Sequence, residues 1–174
     1  AHEHYVEPDI LVLGKGLGGG LMPLAAMLAR KEYDRYADSA LGHYTHEKNP
    51  LCCAAGLATI EVVEEEGLVT RSERLGKWLL DQLNQLMSDH DKVRDVRGLG
   101  LMAGVWLDHG QQAEQVMYSC LERGLSFKVS QSTCVTLTPP LTITEQQLEQ
   151  ALQILAGAIA ALPNHPQDRG TYRA

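Results

Sequence analysis

The feature that most constrains the fold of this chain is a short apolar run, Ile10–Leu13, which ends directly before a lysine set among glycines. Four consecutive apolar residues bounded by turn-forming residues are typical of a strand buried on both faces, as in α/β sheets. Ligands in open α/β sheets bind at the carboxyl ends of strands, and the glycines of the segment 14–20 let a ligand approach the backbone closely. An amine held in this way is the arrangement expected of a Schiff-base lysine. The residues therefore predict an α/β fold with Lys15 at a ligand site.

Two other interpretations of Lys15 stay open from these residues alone. Lysines that follow strands are commonly solvated loop residues. The segment Gly14–Gly19 also matches the Gly-x-Gly-x-x-Gly fingerprint of dinucleotide binding, but that fingerprint requires a helix opening directly out of the glycines. Pro23 interrupts here, and the run Leu24–Ala29 favours a second buried strand, although its alanines also suit a helix. The Walker phosphate-binding pattern is not met, because no Gly-Lys-Ser/Thr follows a properly spaced glycine.

Composition excludes several classes of protein. The chain has 174 residues, of which 44% are hydrophobic, so it can bury the core of one domain or of two small ones. A formal net charge of -7 offers no basic surface for nucleic acid or for an anionic membrane. No apolar stretch approaches the roughly 18 residues that a membrane span requires, and no secretory signal is recognised. The cysteines form no Cys-x-x-Cys pair, so reduced thiols in a cytoplasmic protein are expected, with a small molecule or another protein as partner.

Helical periodicity and turn residues divide the chain into two parts and a tail. Residues 1–67 are expected to be the remainder of a larger α/β sheet, because the chain begins without methionine and enters an apolar strand within a few residues. Residues 68–162 are expected to form a compact α+β unit, and residues 163–174 a polar tail. The expected helices are a short one over Lys31–Asp38, then Pro50 to Gly67, about Val69 to Ser88, Gln111 to Arg123, and a last one capped by Thr144 and Gln147. The expected strands are one bent strand over Val93–Leu107, then Leu125–Val129 and Cys134–Leu137.

Four segments resemble, in their order, segments of the class III, or ω-type, pyridoxal-phosphate aminotransferases, which have the fold-type I scaffold. They are DILVLGKGLGGG at residues 9–20, THEKNP at 45–50, VRDVRGLGLM at 93–102 and PPLTIT at 139–144. The resemblance covers the chain up to about Leu162. It implies that residues 1–67 are the C-terminal part of a large pyridoxal-phosphate-binding domain and that residues 68–162 are the small domain.

The resemblance implies a role for one residue in each of the first three segments. Lys15 would form an imine with the pyridoxal aldehyde and, as a free amine, would move a proton between substrate and cofactor. Thr45 would donate its hydroxyl to the cofactor phosphate of the neighbouring subunit, so a homodimer with composite sites is implied. The helix start at Pro50 is expected to leave free amides nearby for an anion. Arg97 would receive a substrate carboxylate through its planar fork, with a surface ion pair as the alternative.

The activity implied is transfer of an amino group from an amine or amino acid to a 2-oxo acid, as part of a longer enzyme. A lyase, decarboxylase or racemase of the same family is the alternative, as is a catalytically incomplete fragment. The family's acidic partner of the pyridine nitrogen, its ring-stacking aromatic and its glycine-containing phosphate loop all precede the lysine, so this chain lacks them. Glu47 and Lys48 stand where many members have two glycines. Asn49 is expected to cap a helix, and His43 and His46 are expected to be ordinary loop residues that could instead line a substrate entrance.

Overall fold

The computed structural model describes residues 6–36, 38–39, 42 and 44–163. The chain divides into two compact units, an N-terminal unit of residues 1–67 and a C-terminal unit of residues 68–174. His43 and most of the expected polar tail lie outside the described residues. Among the described residues, no helix is both long and apolar enough to cross a membrane.

The N-terminal unit is built on two short antiparallel strands and one long helix. Strand β1 (Ile10–Leu13) pairs with β2 (Ala26–Ala29), so that Leu13 lies opposite Ala26. The glycine-rich segment between them contains a 3-10 helix, Lys15–Gly18, where a dinucleotide-binding fold would need a long helix. Helix α1 (Pro50–Glu65) begins at the predicted proline.

Burial of the first strand differs from the expectation. All four residues of β1 are exposed, and Val12 has 71% of its surface accessible. A strand of this composition is buried when further strands or helices cover both of its faces. Among the described residues of the N-terminal unit, β2 is the strand that pairs with it, so the expected burial is wrong for this chain by itself. The helix expected over Lys31–Asp38 is likewise reduced to a three-residue 3-10 helix, Lys31–Tyr33.

The C-terminal unit is an antiparallel sheet packed against three helices. Its elements are α2 (Leu68–Asp89), β3 (Val93–Leu99), β4 (Met102–Leu107), α3 (Gly110–Glu122), β5 (Lys128–Ser130), β6 (Cys134–Leu137) and α4 (Glu145–Ala160). The strand order is β3-β4-β6-β5. The largest fully buried side chains come from the three helices and two central strands: Leu75, Leu79, Leu83, Val105, Leu107, Val116, Cys120, Val135, Leu155 and Ile159. One face of the sheet therefore forms the core with the helices, in agreement with the predicted α+β unit.

The segment predicted as one bent strand is a hairpin. The apolar alternation from Val93 to Leu107 is broken where Gly100 adopts φ 55°, in the left-handed region that glycine favours. Strands β3 and β4 then pair antiparallel on either side of this turn, with Leu99 opposite Met102. The alternation holds on β4, where Ala103, Val105 and Leu107 are buried, but not on β3, where Leu99 is exposed. It also did not reveal the reversal of chain direction.

The last helix begins as predicted. Thr144 Oγ1 accepts a hydrogen bond from the backbone N–H of Gln147 at 3.1 Å, and Gln147 Oε1 accepts one from the backbone N–H of Thr144 at 3.0 Å. This reciprocal pair is a capping box, so the predicted cap is confirmed.

Candidate functional site

Lys15 stands directly beyond β1 in an unusual backbone conformation. Its φ is 52°, in the left-handed region that non-glycine residues seldom occupy, and its side chain is exposed. A turn encloses it, because the backbone N–H of Leu17 donates to the carbonyl of Gly14 at 3.3 Å. Strained backbone of this kind concentrates at functional sites, where the surrounding structure maintains it. The backbone at Lys15 is thus held in a defined turn, while its side chain stays exposed.

The glycines around Lys15 fall into two groups. A Cβ at Gly16 or Gly20 would meet no atom within 4 Å, so the backbone there is open to a ligand. Gly18 and Gly19 instead face protein: Gly18 is buried, and a Cβ on Gly19 would lie 2.9 Å from Thr59 Oγ1 on α1. The loop is therefore packed on one side and open on the other.

Thr45 lies in the turn that leads into α1, and its side chain is exposed. The turn is closed by a hydrogen bond from the backbone N–H of Glu47 to the carbonyl of Tyr44 at 3.0 Å. Lys48 follows with φ 56°, a conformation that suits the glycine many family members have here. The Thr45 hydroxyl is available to a ligand at the surface of this unit.

The first amides of α1 are already paired, contrary to the expectation. Asn49 Oδ1 accepts hydrogen bonds from the backbone N–H groups of Leu51 at 3.0 Å and Cys52 at 3.4 Å. The amide of Cys53 donates to the carbonyl of Asn49 at 3.0 Å, and Pro50 has no N–H. The predicted cap by Asn49 is therefore confirmed, and the predicted free amides are wrong because this cap uses them.

Arg97 lies on β3, on the sheet face opposite the core. Its Nε donates to Asp95 Oδ2 at 2.6 Å, and its Cζ lies 5.5 Å from the centroid of the Trp106 ring. The side chain of Arg97 is 75% exposed, so its guanidinium can still be reached from solvent. Arg97 thus forms the surface ion pair that was the alternative to a binding role, here with Asp95, but its guanidinium remains accessible.

A β-bulge lies at the start of β3, next to the segment that carries Arg97. The register of β3 against β4 shifts between Val93 and Asp95, which leaves Arg94 at the irregularity. Arg94 Nε pairs there with Asp108 Oδ1 at 2.6 Å. Beyond the bulge, Asp95 lies opposite Trp106 and Arg97 opposite Gly104. Asp95 lies two residues before Arg97 on the same strand, so the alternation of side chains could have predicted that contact. The contact with Trp106 was missed because the register of the hairpin is needed to find it.

The residues present fit part of the cofactor implied by the resemblance. Pyridoxal phosphate requires an amine for its aldehyde and donors for its phosphate. The exposed amine of Lys15 beside the open backbone at Gly16 suits the first requirement, and the exposed hydroxyl of Thr45 suits the second. The paired amides of α1 do not add to the phosphate donors.

The remaining polar candidates add little to this site. His46 is exposed in the turn before α1. All four cysteines are free, with Cys120 and Cys134 buried and Cys53 exposed. Among the described residues, no group of His, Cys, Asp or Glu side chains could hold a metal ion.

Comparison with known proteins finds relatives along most of the chain. The family model for aminotransferase class-III matches residues 1–159. A curated relative from Vibrio splendidus, (R)-1-hydroxy-2-aminoethylphosphonate ammonia-lyase, is 47% identical over 89% of this chain and 34% of its own length. Ornithine aminotransferase 2 of Staphylococcus aureus is 40% identical over 85% of this chain and 36% of its own length. The chain thus spans about a third of the length of these relatives.

The fold is similar to that of solved aminotransferases. The crystal structure of acetylornithine aminotransferase from Elizabethkingia anophelis has a TM-score of 0.84 and 34% identity, and the match covers 92% of this chain and 43% of that one. The α/β architecture, with part of a large domain followed by an α+β unit, agrees with the predicted fold-type I scaffold.

Proposed function

The chain belongs to the class-III aminotransferase family, and we propose that it works as the C-terminal part of a longer, pyridoxal-phosphate-dependent enzyme. That enzyme transfers an amino group from an amine or amino acid to a 2-oxo acid. The observation that carries this proposal is Lys15, an exposed amine on left-handed backbone just beyond β1, beside glycine backbone open to a ligand. The identity to an ornithine aminotransferase supports the same reaction.

Lys15 holds the cofactor and handles the proton in this proposal. When bound, pyridoxal phosphate supplies an aldehyde for the amino group and a conjugated ring that stabilises negative charge on the reacting carbon. The Lys15 amine attaches the cofactor between turnovers and, once displaced by the substrate amine, removes and returns a proton as a general base.

Thr45 binds the cofactor phosphate of a partner subunit, and the active enzyme is a homodimer. A hydroxyl that donates to a phosphate oxygen makes a charge-assisted hydrogen bond. The exposed position of Thr45 on its unit suits a ligand held by another chain. The free cysteines suit a reducing compartment, so we place the enzyme in the cytoplasm.

Arg97 binds the anionic group of the substrate in this proposal. Its guanidinium is exposed and still carries the two Nη nitrogens beyond the Nε contact with Asp95. A planar pair of donors matches the two oxygens of a carboxylate, and it matches phosphonate oxygens equally well.

Cofactor attachment tests the assignment of Lys15. The full-length protein loaded with pyridoxal phosphate should show a visible absorption band, and borohydride should fix the cofactor to the peptide that contains Lys15. Lys15→Ala should remove the band, the label and turnover, whereas Lys31→Ala, at another exposed lysine of the same unit, should keep all three. A Lys15→Ala protein that keeps the band and the label would show that another lysine holds the cofactor.

A second candidate function has a specific observation in its favour. The relative named as an aminophosphonate ammonia-lyase is 47% identical to this chain, against 40% for the ornithine aminotransferase. An ammonia-lyase of this kind uses the same cofactor and lysine but releases ammonia without an amino acceptor. The substrate would then be a small amine that carries a phosphonate group.

The stoichiometry of the reaction separates the two candidates. The purified full-length enzyme is incubated with L-ornithine, 2-aminoethylphosphonate or its 1-hydroxy derivative, with and without 2-oxoglutarate. An aminotransferase consumes one 2-oxo acid for each amine and releases no ammonia. A lyase releases ammonia at the same rate when the 2-oxo acid is omitted.

A further inference from the structure

Trp106 lies beneath the guanidinium of Arg97, although the two residues are on different strands. Arg97 is paired with Gly104, so Trp106 is its diagonal neighbour two positions along β4. The distance of 5.5 Å from Arg97 Cζ to the ring centroid is within the range of a cation–π contact. Such a contact favours positions of the guanidinium close to the ring.

Gly104 provides the space in which the Trp106 ring lies. A Cβ on Gly104 would be 2.7 Å from Cζ3 and Cη2 of Trp106 and 3.0 Å from Cys134 Sγ. A side chain at this position would therefore push the ring away from Arg97. The ring can lie on the sheet because Gly104 has no side chain. It lies in a groove that Ser130 and Thr136 also line.

Asp95 further restricts the guanidinium of Arg97 through a hydrogen bond to its Nε. Its Oδ2 accepts from Arg97 Nε at 2.6 Å, while its Oδ1 accepts from the backbone N–H of Val96 at 2.9 Å. The carboxylate is thus anchored to the backbone and engages the inner edge of the guanidinium. Trp106 lies under the guanidinium and Asp95 binds its Nε, so the two Nη nitrogens remain for a ligand anion.

We propose that Trp106, seated over Gly104, is a positioning residue that orients Arg97 toward the anionic group of the substrate. The proposal rests on the function proposed above for Arg97 and adds a residue to it. The negative charge of Asp95 partly offsets the positive charge of Arg97. Anion binding therefore depends on how the N–H donors of Arg97 are oriented as well as on charge. Loss of the ring therefore weakens the binding of anionic substrates and leaves the chemistry at Lys15 unchanged.

The test compares substrates with and without an anionic group in the full-length enzyme. L-ornithine and 2-aminoethylphosphonate are the anionic donors, and propylamine is the donor without an anion. Trp106→Leu keeps an apolar side chain but removes the ring, and Trp106→Phe keeps an aromatic face. We expect Trp106→Leu to raise KM for the turned-over anionic donor about two- to fivefold, as expected for an exposed cation–π contact. The kcat of Trp106→Leu for that donor, and its KM and kcat for propylamine, should stay within about twofold of wild type. Trp106→Phe should stay within about twofold of wild type in KM and kcat for every donor.

Two further variants separate a positioning role from a general structural one. Trp78→Leu removes the other tryptophan of the chain, on α2, and should leave KM for every donor unchanged. In an Arg97→Leu background, Trp106→Leu should cause no additional rise in KM, because its effect passes through the guanidinium.

Each alternative outcome overturns a defined statement. If Arg97→Leu raises KM for the anionic donors and Trp106→Leu does not, this inference is wrong and the proposed role of Arg97 stands. If Trp106→Leu raises KM equally with Arg97 absent, Trp106 has a structural effect and the inference is wrong. If Arg97→Leu changes no KM, or if no donor is turned over, the proposed function of Arg97 or of the enzyme fails first and this inference with it.

Discussion

Gly76 of α2 lies directly against Gly100 at the turn of the β3–β4 hairpin, and a Cβ on Gly76 would lie 2.2 Å from the carbonyl oxygen of Gly100. One turn earlier on α2, Ser72 Oγ accepts a hydrogen bond from the backbone N–H of Leu101 at 3.2 Å. The close approach of the two glycine backbones and the hydrogen bond to the Ser72 side chain hold the helix against the hairpin that carries Arg97.

Gly76→Ala is expected to destabilise the C-terminal unit by about 1–3 kcal/mol, the usual cost of overpacking. The Gly100 backbone cannot move aside as a flexible side chain would, so helix and hairpin must separate. Gly157→Ala on α4 is the matched control, because its Cβ would meet the flexible end of Arg123 at 2.9 Å and alanine favours a helix interior. The midpoint of urea unfolding should fall for the first variant and hold or rise for the second. Equal midpoints would contradict the packing described here.

Stability should fall at high pH because of Cys120. Burial raises the pKa of this thiol to about 11 from its usual 9.0, and Arg123 lowers it in part. The unfolded chain ionises the thiol near pH 9, whereas the folded chain keeps the proton to about pH 11. Its contribution to stability is thus fully present below pH 9 and is lost as pH rises through about 11, on the order of 2 kcal/mol.

The measurement for Cys120 is the difference in unfolding free energy between wild type and Cys120→Ala at several pH values. The wild-type advantage from packing should be largest at pH 8 and should shrink by pH 11. A difference that does not change with pH would show that the folded thiol ionises as readily as the unfolded one.

The Lys48→Gly variant should be more stable than the Lys48→Ala variant. The φ of 56° at this position costs a residue with a Cβ about 1–2 kcal/mol, whereas glycine adopts this conformation without strain but loses more entropy on folding. Both substitutions remove the exposed pair with Glu47, so comparing Lys48→Gly with Lys48→Ala isolates the backbone term. We expect Lys48→Gly to be more stable by about 0.5–1 kcal/mol, measured by thermal unfolding. A more stable alanine variant would contradict the left-handed conformation.

Sequence patterns predicted the parts of this molecule that depend on near neighbours. The caps at Asn49 and Thr144 were predicted correctly, because each side chain bonds to an amide two or three residues away. The reversal at Gly100 was missed, since the apolar residues Leu99, Leu101 and Ala103 alternate straight through the turn. The contact of Trp106 with Arg97 was also missed, because it depends on the pairing between β3 and β4.

Mixed dimers test whether Thr45 serves the partner's site. Lys15→Ala subunits and Thr45→Val subunits, each with its own affinity tag, are combined and the hybrid is isolated. If Thr45 acts across the interface, the Lys15 of one subunit meets the intact Thr45 of the other, so the hybrid has one complete site. Its activity at limiting pyridoxal phosphate should be about half that of wild type. The Lys15→Ala dimer should be inactive, and the Thr45→Val dimer should bind the cofactor about tenfold more weakly, since a hydrogen bond to a charged group is lost. If Thr45 instead serves its own site, no hybrid site is complete, and the hybrid should be no more active than the Thr45→Val dimer.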